Sequence, residues 1–86
     1  MAWNARAWVA SVLGCDVDDL MIQDQSSGQV RYEDGSGEQV AWLVVAEPLN
    51  TPDGMPKDRY EIMLRLPDGT FHRPDEVVRS STDIEF

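Results

Sequence analysis

The chain has 86 residues, enough for one hydrophobic core and too few for two. Apolar residues make up 42% and charged residues 27%, the balance of an ordinary globular domain rather than of a disordered chain. Sixteen acids against seven bases leave a formal net charge of −9, which disfavours partners held by cationic side chains, namely nucleic-acid backbones and anionic membrane surfaces.

The bases Arg6, Arg31, Lys57, Arg59, Arg65, Arg73 and Arg79 are scattered along the chain, so no local basic patch offsets that charge and direct nucleic-acid binding is not expected. No apolar run approaches the roughly 18 residues of a membrane span. No basic segment followed by an apolar stretch opens the chain, so a secretory signal is not expected either. Cys15 is the single cysteine, which excludes an intramolecular disulfide and a thiolate metal cluster. A small secreted domain is usually stapled by disulfides, so the cytoplasm is the expected compartment.

In chain order, residues 2–14 read as a helix, because Trp8 and Val12, and Val9 and Leu13, are four apart and Gly14 is a natural stop. Ala5, Trp8, Val9, Val12 and Leu13 form its apolar stripe. Asp16 is placed to cap a short helical turn that Asp18 and Asp19 continue. Strands are expected over about 20–24, 29–33, 38–46, 58–66 and 70–73, joined by turns at Ser26-Ser27-Gly28, Asp34-Gly35-Ser36-Gly37 and Pro67-Asp68-Gly69. Residues 48–57, with Pro48, Pro52 and Pro56, read as a long irregular loop. Pro74-Asp75-Glu76 opens a short helical turn over 74–79, and 80–86 reads as a tail. The whole predicts one α+β domain over 1–86, an N-terminal helix packed on a curved antiparallel meander of four to five strands.

Residues 40–46 run Val-Ala-Trp-Leu-Val-Val-Ala, apolar on both faces, as a strand covered on both sides would be. With the larger Val40, Trp42 and Val44 turned to the helix, Ala41, Leu43 and Val45 form a second face, joined by Met63 from the next strand. That face is the candidate interface, covered by a second copy of the chain or by the 47–57 loop folding back through Leu49 and Met55. Trp8, Trp42 and Tyr60 are the candidate lining of a small-ligand pocket between helix and sheet.

No motif carries catalysis. His72 is the single histidine and has no signature around either possible nucleophile, Cys15 or Ser36. The acids Asp16, Asp18 and Asp19 do not match a calcium loop, since the sixth position from Asp16 is Met21 and the twelfth is Ser27. The turn around Gly35 and Gly37 has no following Lys and fits no phosphate-binding fingerprint. No catalytic, cofactor or metal residues are therefore expected. The two-faced strand 40–46 and the absence of catalytic constellations point to a non-enzymatic protein-binding module, self-associating as a homodimer or taking a basic protein partner. Two alternatives are an inhibitor that mimics nucleic-acid charge, as anti-restriction and anti-CRISPR proteins of mobile elements do, and a small-ligand-binding domain.

Overall fold

A computed structural model describes residues 2–26, 28–46 and 59–86. Trp3–Asn4 form strand β1, Ala5–Leu13 helix α1 and Val17–Asp19 a 3-10 turn; β2 (Met21–Ser26), β3 (Gln29–Glu33), β4 (Gln39–Ala46), β5 (Glu61–Arg65) and β6 (Phe71–His72) follow. A second 3-10 turn, Ser81–Asp83, leads into β7, Ile84–Glu85. Strands β2 to β6 lie side by side in chain order as an antiparallel meander, while β1 and β7 pair in parallel. The fold is α+β, as its patterning predicts: among the described residues one α-helix accompanies a five-stranded antiparallel sheet. The 48–57 loop, with Leu49 and Met55, lies outside the described residues.

Helix α1 begins three residues later than its periodicity suggests, because Asn4 caps it: the Asn4 side-chain oxygen accepts from the Ala7 N–H at 2.9 Å. At the other end Gly14 takes φ +74°, and the Gly14 and Cys15 amides bond back to the Ser11 and Ala10 carbonyls at 3.3 and 3.0 Å. Asp16 caps the following turn as expected, accepting from the Asp18 N–H at 3.0 Å. Ahead of the helix, Trp3 is in strand rather than at a frayed helical end. Its ring lies 5.8 Å from that of Trp8, tilted by 46°.

Two hairpins use the same clasp. In Asp34-Gly35-Ser36 the carboxylate accepts from the Ser36 N–H at 2.9 Å and from its hydroxyl at 2.5 Å; in Asp68-Gly69-Thr70 the distances are 2.9 and 2.6 Å. These hydroxyl and amide donors hold both exposed carboxyls below their ordinary value of 3.8. The clasp contribution is thus complete above the ordinary carboxylate value and is lost as pH falls through the lower, folded one. A carboxyl chemical-shift titration should show the Asp34 midpoint below 3.8, and Ser36→Ala should move it back up.

Gly28, in the β2–β3 turn, is needed for two reasons. Its φ is +76°, and an added Cβ would lie 3.0 Å from the Val45 carbonyl oxygen. The crowding comes from a cross-strand bond in which the Val45 N–H donates to the Gly28 carbonyl at 2.8 Å. Gly28→Ala should cost roughly 1–3 kcal/mol by urea denaturation. Gly14→Ala, with the same positive φ but open space around it, should cost less.

The core consists of Ala5, Val9 and Ala10 of α1 with Leu20, Val30, Tyr32, Ala41, Leu43, Val45, Ile62, Leu64 and Val78. Trp8, Val12, Leu13, Tyr60 and Leu66 pack half-buried against it. On β5 Ile62 and Leu64 point into the core. On β4 the expected facing is reversed: Ala41, Leu43 and Val45 point into the core, and Val40, Trp42 and Val44 are half-buried on the opposite face. The cause is one residue of register. Glu33 pairs with Gln39, but Tyr32 pairs with Ala41, so a bulge at Val40 shifts the remaining pairs to Arg31 with Trp42 and Val30 with Leu43. Without it Tyr32 would face Val40 and Val30 would face Trp42, the arrangement the sequence suggests.

The C-terminal segment also differs from expectation. Residues 74–79 form no helical turn. Val78 is buried, and its carbonyl accepts from the Tyr60 N–H at 2.7 Å, which fixes the segment alongside the start of β5. The last residues are not a free tail, since Trp3 pairs with Ile84 and Asn4 with Glu85, and Ile84 and Phe86 pack against the core.

Candidate interaction surface

The residues expected to form an interface do not lie together on the surface. Ala41 and Leu43 are wholly buried and Val45 nearly so, which removes them from contact with any other folded molecule, while Met63 is half-buried on the other side of the sheet. The apolar run of β4 is explained by one face in the core and one beneath a layer of long side chains. The expected pocket is not assembled either. Trp8 and Tyr60 pack against the core, whereas Trp42 lies on the outer face.

On that outer face one row of side chains crosses all five strands: Asp24, Arg31, Trp42, Arg65 and Phe71, each paired in register with the next. The Arg31 and Arg65 guanidinium carbons lie 5.5 and 5.8 Å from the Trp42 ring centre, and Arg65 is also 5.8 Å from that of Phe71. Trp42 is oriented by its indole N–H, which donates to the Gln29 side chain at 3.1 Å. Arg31 ends the row in an ion pair with Asp24 at 3.0 Å. The arginine stems lie over the apolar outer face of β4, where they cover surface around Trp42.

The edge of the sheet is more open than its face. All six residues of β2 are exposed, Met21 by 50% and Ile22 by 41%. Among the described strands β2 is paired on one side, to β3, with a bulge between Ile22 and Asp24. The opposite edge, β6, has only two residues. Around the start of β2 acids predominate. Asp18 and Asp19 immediately precede it, Glu33 pairs with Met21, and the Gln23 side-chain amide donates to the Gly37 carbonyl at 2.8 Å, fastening the hairpin that carries Asp34 and Glu38 alongside. Residues 7–30 contain no Lys, Arg or His at all. This edge was not among the candidates from sequence, because Met21 and Ile22 read there as ordinary strand residues. The signal available was the all-acidic stretch itself.

Of the residues considered for chemistry, the Ser36 hydroxyl is engaged by Asp34, Cys15 is exposed after α1 and His72 is on β6; among the described residues no hydrogen bond joins His72 to either. Among the described residues no three His, Cys, Asp or Glu side chains converge as a metal cage requires. No helix among them is long and apolar enough to cross a membrane. The chain matches no family model, and it is significantly similar to no curated protein and no solved structure.

Proposed function

We propose that this α+β domain is a non-enzymatic protein-binding module acting in the cytoplasm, and that its binding element is the β2 edge. The observation that supports this reading is a six-residue strand exposed along its whole length that carries two of the four exposed large apolar side chains among the described residues, the other two, Phe71 and Val77, standing apart on β6 and in the C-terminal segment. Binding energy at protein interfaces concentrates in a few apolar anchors ringed by polar groups, and Met21 and Ile22 among the acids fit that pattern. Self-association through Ala41, Leu43 and Val45 is withdrawn, because those side chains already fill the core.

The test is affinity capture from lysate with the wild-type chain and with a Met21→Ser, Ile22→Ser double variant, at low and high salt. Both side chains are exposed, so the variant should fold with its stability nearly unchanged. The expected result is a partner retained by the wild-type chain and lost by the variant. A partner held equally by both, and released steeply by salt, would instead favour the charge-mimicking reading, in which acid density alone carries binding.

A further inference from the structure

Resting on the protein-binding reading, we infer the kind of partner: an extended segment bearing Lys or Arg, which adds to β2 as a sixth strand of the sheet.

An edge strand presents unpaired N–H and C=O groups, and proteins that keep such an edge single guard it with charged side chains, above all Lys, with Pro, with bulges or with extreme shortness. The β6 edge has only two residues, which is protection by shortness. The β2 edge has six residues, Met-Ile-Gln-Asp-Gln-Ser, with neither Lys nor Pro, and a single bulge as its irregularity. Among the described strands none pairs with its outer side. Met21 and Ile22 are adjacent, so they project to opposite faces of the sheet, and an added strand would place side chains beside each of them. A partner resting on one face of the sheet would reach only one of the two.

Charge selects the occupant. Asp18, Asp19, Glu33, Asp34 and Glu38 lie around the start of the strand, and Arg31, further along, is paired with Asp24 of β2 itself. A second copy of this chain, joined β2 to β2, would bring two sets of these acids together, and like charges in cross-strand contact are destabilising. A cationic segment meets the opposite situation: attraction during approach and complementary pairs flanking the backbone ladder once docked. The net charge of −9 favours the same partner at longer range.

The experiment uses the full chain, isotopically labelled, and three peptides. The first alternates Lys and Val, the second alternates Glu and Val, and the third is the Lys/Val peptide with prolines at alternate Val positions, which keeps its charge but cannot form a ladder. The expected result is that the Lys/Val peptide shifts the Met21–Ser26 amides and slows their hydrogen exchange. The proline peptide should bind at least about tenfold more weakly, the Glu/Val peptide should not bind, and Met21→Ser with Ile22→Ser should weaken the Lys/Val complex about tenfold. Equal binding of the Lys/Val and proline peptides, or shifts centred away from β2, would overturn strand addition. Concentration-dependent slowing of exchange at β2 in the chain alone would overturn it in favour of a second copy. A partner captured through Met21 and Ile22 while the Lys/Val peptide leaves β2 unperturbed would overturn this inference and leave the protein-binding reading standing.

Discussion

Leu43→Ala should lower the unfolding free energy by about 2–5 kcal/mol, and Trp42→Ala, one residue away, by much less, about 1–2 kcal/mol. The contrast follows from the bulge at Val40. Leu43 is wholly buried at the centre of the sheet, flanked in register by Val30 on β3 and Leu64 on β5, so truncation leaves a cavity that three strands cannot close without breaking their ladder. Trp42 is the larger side chain, but it is only partly buried, and its loss removes one hydrogen bond to Gln29 and two guanidinium contacts that water can partly replace. For a domain of this size the Leu43 cost is a large share of the total stability. Chemical denaturation of both variants measures it. A Trp42→Ala cost exceeding that of Leu43→Ala would mean that β4 presents its other face to the core.

The second large effect is alkaline. Tyr32 is buried on the inward face of β3, and its hydroxyl has no hydrogen-bond partner among the described residues. Burial pushes its pKa up from 10.0 to about 12, with the positive charge of Arg6 opposing the shift. In the folded chain the phenol therefore keeps its proton while the unfolded chain loses it. The raised value means that this stability is fully present below pH 10 and is lost as pH rises from about 10 to about 12. Two pH units correspond to about 3 kcal/mol. Tyr32→Phe should remove that part of the alkaline loss. At neutral pH it should stabilise the chain by about 1 kcal/mol or more, because a buried donor left unsatisfied costs the folded state its hydration. The difference in stability between wild type and Tyr32→Phe, followed from pH 8 to pH 12, isolates the effect from all other titrating groups. A difference that stays constant across that range would show that the hydroxyl is hydrated in the folded chain.

These two predictions rest on different kinds of information. The position of Tyr32 on an inward face was legible from Gln29 to Glu33, where apolar and polar residues alternate and the alternation has only one reading. The clean strand Glu61–Arg65, the cap at Asp16, the stop at Gly14 and both Asp-Gly turns were legible for the same reason: each depends on residues close in sequence whose local chemistry has one favourable outcome. So was the acidity that gives the β2 edge its preference, since charge is read by counting.

The facing of β4 was not legible in the same way. Its seven apolar residues satisfy either orientation, so its own pattern carries no sign, and the larger side chains suggested the wrong face. The sign is set by the bulge opposite Tyr32 and Glu33, a property of the β3–β4 pair rather than of either strand. The candidate interface fell with it. The pairing of Trp3-Asn4 with Ile84-Glu85 joins segments some eighty residues apart and leaves no local periodicity to detect. Strand status at both ends comes from docking on a core that exists only once the meander has formed. The exposure of β2 is likewise tertiary: local patterning identifies a strand, but its place at the rim follows from strand order alone. Local chemistry determined which segments are helix, strand and turn. Register and strand order, which are non-local, decided which side chains are buried and which edge is left to bind.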